Sequence, residues 1–166
     1  NSFGNDGSTK AKRVAMPADL AARPIPPKPE LYTKDILRLA ASLPHADRLP
    51  DAQASATRRS PVCGSEISAD VQLDDSGRVA ALAFRAHACA MGQASAALLR
   101  QICSGASVDE IEGMRTALAK ALSGDDRIEN CRPELAVFET ARAYPARHAA
   151  ILLPYDAVLA ALAEMD

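Results

Sequence analysis

Tryptophan is absent from this 166-residue chain, and aromatic residues of every kind make up only 4% of it. With 48% of the residues apolar, and many of those alanine, the core must come from small side chains. That composition points to closely packed helices rather than a β-sandwich. Excess positive charge is missing too: the net charge of −2 leaves no electrostatic footprint for nucleic acid. No stretch reaches the roughly 18 consecutive apolar residues of a membrane span. Nor is there a Gly-rich phosphate loop, a catalytic-triad spacing or a paired CxxC motif, so a stand-alone enzyme has no candidate residues. The start of the chain carries no apolar leader. Its four cysteines, Cys63, Cys89, Cys103 and Cys131, therefore read as reduced thiols or metal ligands, and the expected compartment is the cytoplasm.

What the chain does contain falls into two parts. Residues 1–30 read as a flexible tail, polar at first and then crowded with Pro24, Pro26, Pro27 and Pro29, which neither a helix nor a paired strand tolerates. Met16 offers a natural start, so part of residues 1–15 reads as added or processed sequence. Residues 31–166 are long enough to form one domain with its own core. Leu31, Ile36, Leu39 and Leu43 share one face of a helix over 31–43, which Pro44 ends. A weak alternation near 54–59 suggests an edge strand before Pro61.

The stretch EISADVQL alternates Ile67, Ala69, Val71 and Leu73 with polar residues, the two-residue period of a half-buried strand. DDSG at 74–77 reads as a hairpin loop, and RVAALAFR returns as a more covered strand. From Ala90 the pattern is helical. One helix closes at Gly105, and a second opens on the capping-box pair Ser107 and Glu110. A shorter helix over RPELAVFETARAYP precedes a last one that Pro154 must kink or divide. The order is tail, helix, sheet, helices: an α+β fold with a small antiparallel sheet of about three strands and helices on one side.

The hairpin has a chemical consequence. Cys63 precedes its first strand and Cys89 follows its second, so antiparallel pairing brings both to the same end of the sheet. Cys89 also precedes a helix N-terminus, where unpaired N–H groups favour the thiolate. Two thiolates near Ser65 and Glu66 suit zinc or an iron–sulfur centre. The plainer reading of both cysteines is packing, since free cysteine is among the most buried residue types. Packing is also the reading for Cys103, while Cys131 has no ligand-type neighbour in sequence. His87, two residues before Cys89, is expected on its strand face, and His45 lies in a loop.

The segment PVCGSEISADVQLDDSGRVAALAFRAHACAMGQASAAL resembles the core of the NifU/IscU/SufU-type iron–sulfur cluster assembly scaffolds. In that family Cys-Gly-Asp precedes a strand hairpin, a second cysteine opens a helix containing Ala-Ser, and a third lies in the final helix. The resemblance extends over residues 31–166 and implies a SufE/NifU-like fold. It implies that Cys63 and Cys89 hold the cargo; Cys89, on its helix start, would be the better persulfide acceptor and Cys63 the anchoring ligand. Two positions depart: the aspartate falls on Ser65, with Glu66 next to it, and the third cysteine falls on Ala150. The family's histidine before that cysteine matches Ala149. His148, the histidine nearby, turns about 200° from residue 150 in a formed helix, so it serves only if the helix begins late.

The implied function is an assembly scaffold, not an enzyme. It would bind iron or a labile [2Fe–2S] cluster, accept sulfur from a cysteine desulfurase and pass the product to apo iron–sulfur recipients. With Ala150 in place of a thiol, two chains in a homodimer would be needed to supply four sulfurs. The alternatives are a zinc-binding sulfur acceptor and a metal-free interaction module of the same fold.

Overall fold

The computed structural model of the chain describes residues 27–45 and 47–165. The tail expected over 1–30 thus lies largely outside the described residues; residues 27–30 are in neither helix nor strand. Helix α1 runs Lys34–Ser42. It starts three residues later than the apolar spacing suggests because Thr33 caps it, its hydroxyl accepting the Ile36 N–H at 3.3 Å. Leu31 and Tyr32 are thereby left outside the helix, free to approach a neighbouring element.

Three strands follow, β1 (Ala54–Arg59), β2 (Glu66–Leu73) and β3 (Val79–His87). They form one antiparallel sheet in the order β1-β2-β3. The alternation read from β2 separates its faces. Ile67, Ala69 and Val71 are fully buried under helices, whereas Glu66, Ser68 and Gln72 lie on the other side. Asp70 breaks the pattern: it is on the outer face yet only 3% exposed. Its carboxylate takes both Arg85 Nη atoms at 2.9 and 3.0 Å, the Ser55 hydroxyl at 2.6 Å and the Leu49 N–H at 3.2 Å. Arg85 also donates to the Asp47 carbonyl at 3.1 Å. These bonds lay the loop after α1 across the outer face of the sheet.

The helical half consists of α2 (Ala90–Ile102), α3 (Val108–Leu122), the short α4 (Ile128–Cys131), a 3₁₀ segment (Pro133–Ala143), a second 3₁₀ turn (Pro145–Arg147) and α5 (His148–Ala163). The capping box at Ser107 and Glu110 is formed in both directions. Where an α-helix was expected after Arg132, the chain is 3₁₀. Its buried residues Leu135, Phe138 and Ala141 recur every third position, the period of a 3₁₀ turn rather than the 3.6 of an α-helix.

Helix α5 is the centre of the core, packed on β1, β2, α2 and α3. By length and composition Pro145–Ala163 is apolar enough to cross a membrane, but its Ile151, Tyr155, Val158 and Ala161 are buried against the sheet and neighbouring helices. Pro154 does not divide it. Proline offers no N–H to the Ala150 carbonyl, and one residue on, the Ile151 carbonyl accepts the buried Ser95 hydroxyl at 2.5 Å. Helix α2 thus supplies a hydrogen bond beside the position where the proline removes one. Replacing Ser95 with valine should remove that hydrogen bond at a cost of about 0.5–1.5 kcal/mol, read as a lower urea midpoint at unchanged slope.

Candidate thiol site

The register sets the site. Glu66 pairs with His87 across β2 and β3, so Cys63, three residues before the first, and Cys89, two residues after the second, come to the same end of the sheet. The loop holding Cys63 closes on itself: Ser60 N–H donates to the Ser65 carbonyl at 2.8 Å, and Gly64 N–H to the Ser60 carbonyl at 3.0 Å. Gly64 makes this turn at φ +68°, a conformation other residues adopt reluctantly. Cys63 sits half-buried in the turn, its thiol donating to Ser65 Oγ at 3.1 Å. Ser60 and Ser65 are buried on either side. The Ser60 hydroxyl finds no hydrogen-bond partner among the described residues.

Burial alone would push the Cys63 thiol up. That effect is outweighed by the Ser60 and Ser65 hydroxyls, the Ser65 backbone and the Arg147 charge, and the thiol ends below its ordinary range. Cys89 is the N-cap of α2 and half-buried. The Gln93 side chain donates to the Ala88 carbonyl at 2.8 Å and fixes the entry to that helix. Tyr32 reaches Cys89 from the far end of the chain. Burial, the nearby Cys89 charge and a hydrogen bond with Cys89 raise its phenol, against the opposing pull of Arg147. Arg147 therefore stands within electrostatic reach of both Cys63 and Tyr32. The segment carrying Tyr32 is pinned where Tyr144 Oη donates to the Pro29 carbonyl at 2.7 Å and the Lys28 ammonium lies 5.2 Å from the Tyr144 ring centre.

Ala150 is fully buried on the first turn of α5 and faces the first turn of α2. A side chain at Gly92 would come within 3.0 Å of Ala88 Cβ and 3.8 Å of Ala150 Cβ. Glycine there lets the two helices close beside Cys89. The other residues named from sequence have other partners. The Glu66 carboxylate is held by Arg59, whose Nε lies at 3.1 Å and whose Nη2 also bonds it, which lowers its pKa. The α5 helix begins at His148, and that ring's Nε2 lies 2.8 Å from the Ala141 carbonyl. His87 is exposed at the end of β3. No group of three or more His, Cys, Asp or Glu converges on a metal position among the described residues. Cys103 is buried at the end of α2, its thiol pushed up to about 12 by that burial, and Cys131 is raised by burial and by Asp126. Neither lies at the hairpin end.

Tyr32, Ser60 and Arg147 are the site residues that sequence reasoning missed. Tyr32 was hidden inside an apparent helical period, and Ser60 looks like any loop serine. Arg147 had a signal, a basic residue just before the first turn of α5.

Fold and site together define an α+β domain that presents two half-buried thiols from a hairpin end beside a core helix. A family model described as the NifU-like N terminal domain matches residues 31–154, and the chain belongs to that family. The N-terminal part of a nitrogen-fixing NifU-like protein from Brucella abortus is similar in structure, with a TM-score of 0.73 and 33% identity over 81% of this chain and 94% of that one. The iron–sulfur cluster assembly scaffold protein IscU of Thermotoga maritima is 27% identical over 136 residues, covering 82% of this chain and 95% of that protein. A scaffold protein for the SUF system from Fervidobacterium islandicum shares the fold at a TM-score of 0.71 and 22% identity, over 80% of this chain and 96% of that one. The family places the chain among scaffold proteins rather than enzymes.

Proposed function

We propose that this protein is an iron–sulfur cluster assembly scaffold that works in the cytoplasm, receiving sulfur from a cysteine desulfurase and passing its product to apo iron–sulfur proteins. The observation that carries this reading is the delivery of Cys63 and Cys89 to one end of the hairpin within a NifU-like fold. Iron, sulfide and the cluster are cargo here. Thiolates are what bind them, and Cys63 is already biased toward that form by its serines and Arg147. This favours Cys63 as a residue that accepts sulfur. Cys89 then closes the second side of the site under Tyr32.

A [2Fe–2S] cluster takes four protein ligands, and one chain brings two thiols to the hairpin end. A homodimer sharing one cluster supplies the other two. The test is anaerobic reconstitution with ferrous iron and sulfide, read by absorption, iron content and molecular size. A cysteine-dependent chromophore on a dimer is expected, lost in Cys63→Ser and in Cys89→Ser. A cluster-loaded monomer would exclude the shared site, and no chromophore in the parent protein would overturn the scaffold reading.

A second reading is favoured by the absence of a third converging ligand among the described residues: a metal-free interaction module of the same fold. Elemental analysis of protein purified without added metal, together with reconstitution, tests it: neither iron nor zinc at a stoichiometric level is expected on this reading, and either metal at that level removes it.

A further inference from the structure

The Ser60 hydroxyl is an anomaly of this site. It belongs to a residue 3% exposed, yet it meets no hydrogen-bond partner among the described residues. A buried polar group without a partner costs about 1–3 kcal/mol, so native structures seldom leave one. Ser60 is three residues before Cys63 in a turn closed by two backbone hydrogen bonds, and its side chain lies beside the Cys63 sulfur. On the other side of that sulfur, Ser65 Oγ accepts the thiol proton at 3.1 Å. In the resting thiol, then, Ser65 is engaged as an acceptor, while the Ser60 hydroxyl lies near enough to the sulfur to favour its thiolate yet completes no hydrogen bond.

We propose that Ser60 is the positioning residue for sulfur received at Cys63: its hydroxyl is the donor held for the persulfide anion formed there. This rests on the scaffold reading above and names the form in which sulfur is held. The step is a thiol–persulfide exchange. Cys63 loses its proton to solvent, and its sulfur lone pair attacks the outer sulfur of a donor persulfide. The donor's S–S bond breaks as the new one forms, and the donor leaves as a thiolate. No net oxidation occurs. Cys63 has then lost the proton it gave to Ser65, so Ser65 turns from acceptor to donor, and Ser60 supplies a second O–H to the new anion. The Arg147 charge favours the same product. An aspartate at position 65, as the resembling family carries, would set a negative charge against that anion. Serine removes the repulsion.

The test uses the full chain and glutathione persulfide as donor. After the donor is removed, persulfide on each cysteine is followed by peptide mass mapping. Cys63 should carry the added sulfur, and its lifetime should fall about tenfold or more in Ser60→Ala, the usual scale for losing a hydrogen bond to a charged group. Ser60→Thr, which keeps the hydroxyl, should restore most of it. The urea midpoint of Ser60→Ala should be no lower than that of the parent protein, because the lost hydroxyl completes no hydrogen bond in the resting fold, so a shorter persulfide lifetime is not a folding defect. An unchanged lifetime in Ser60→Ala at an unchanged midpoint overturns this inference and leaves the scaffold reading standing. Sulfur appearing on Cys89 and not on Cys63 overturns it as well. Failure of reconstitution in the parent protein, with the Ser60 effect present, removes the scaffold reading alone.

Discussion

Ala150→Cys should give the proposed thiol site a durable hold on metal. Residue 150 is where the family resemblance puts a third cysteine, and it sits on the first turn of α5 against the first turn of α2, whose N-cap is Cys89. Structural zinc sites with four ligands bind with about 10–16 kcal/mol in total. One added thiolate is then worth about 3 kcal/mol, or about a hundredfold in affinity. The folding cost is set by packing. Ala150 is fully buried, and adding a sulfur to a tight core usually costs about 1–3 kcal/mol, without relief from Gly92, where the two helices already approach closely. Competition with a chromogenic chelator measures the zinc affinity, and the decay of the absorption bands after reconstitution measures cluster lifetime. Gain in both is expected. An affinity equal to that of the parent protein would mean that residue 150 does not face Cys63 and Cys89, and the inferred position of the missing ligand would have to be given up.

The hairpin was legible in the sequence because its physics is local. A two-residue alternation over Ile67–Leu73, a polar turn and a returning apolar run determine where the strands lie, and antiparallel pairing then requires Cys63 and Cys89 to share an end. The capping box at Ser107 was legible for the same reason. Other features depended on partners far away in sequence. Asp70 reads as a solvent-facing strand residue, and only the loop near Leu49 and the guanidinium of Arg85 explain why it is buried. The 3₁₀ segment after Arg132 carries apolar residues three apart, a spacing that also occurs on α-helices. Tyr32 lay within a periodic run that suggested helix, yet Thr33 caps the helix after it and leaves the phenol at Cys89. Glu66 and His148 carry ligand-type side chains at suggestive positions, but Arg59 holds one and the Ala141 carbonyl meets the other. Residue type is visible in a sequence; the partner that has already engaged it is not.

Asp70→Asn should be the most damaging single change outside the thiol site. The carboxylate is 3% exposed and gathers Arg85, Ser55 and the Leu49 N–H. Burial alone would raise its pKa, but those hydrogen bonds and the Arg85 charge outweigh it and bring it down to about 2. The amide variant leaves the half-buried Arg85 guanidinium beside a neutral group and replaces one acceptor oxygen with a donor. Removing one member of a buried pair costs about 3–5 kcal/mol, and the loop across the sheet loses its anchor at the same time. The pH dependence has a definite sign. A carboxyl depressed in the folded state stabilises the fold fully above its unfolded value of about 3.9, and that contribution is lost as pH falls toward about 2. A depression of nearly two pKa units amounts to about 2.5 kcal/mol. The parent protein should therefore lose stability steeply between about pH 4 and pH 2, and Asp70→Asn should show a flatter profile over that window while being less stable at neutral pH. Urea unfolding at a series of pH values measures both. Equal slopes for the two proteins would show that Asp70 titrates alike in the folded and unfolded chains, and would remove the ion pair from the account of how that loop is held.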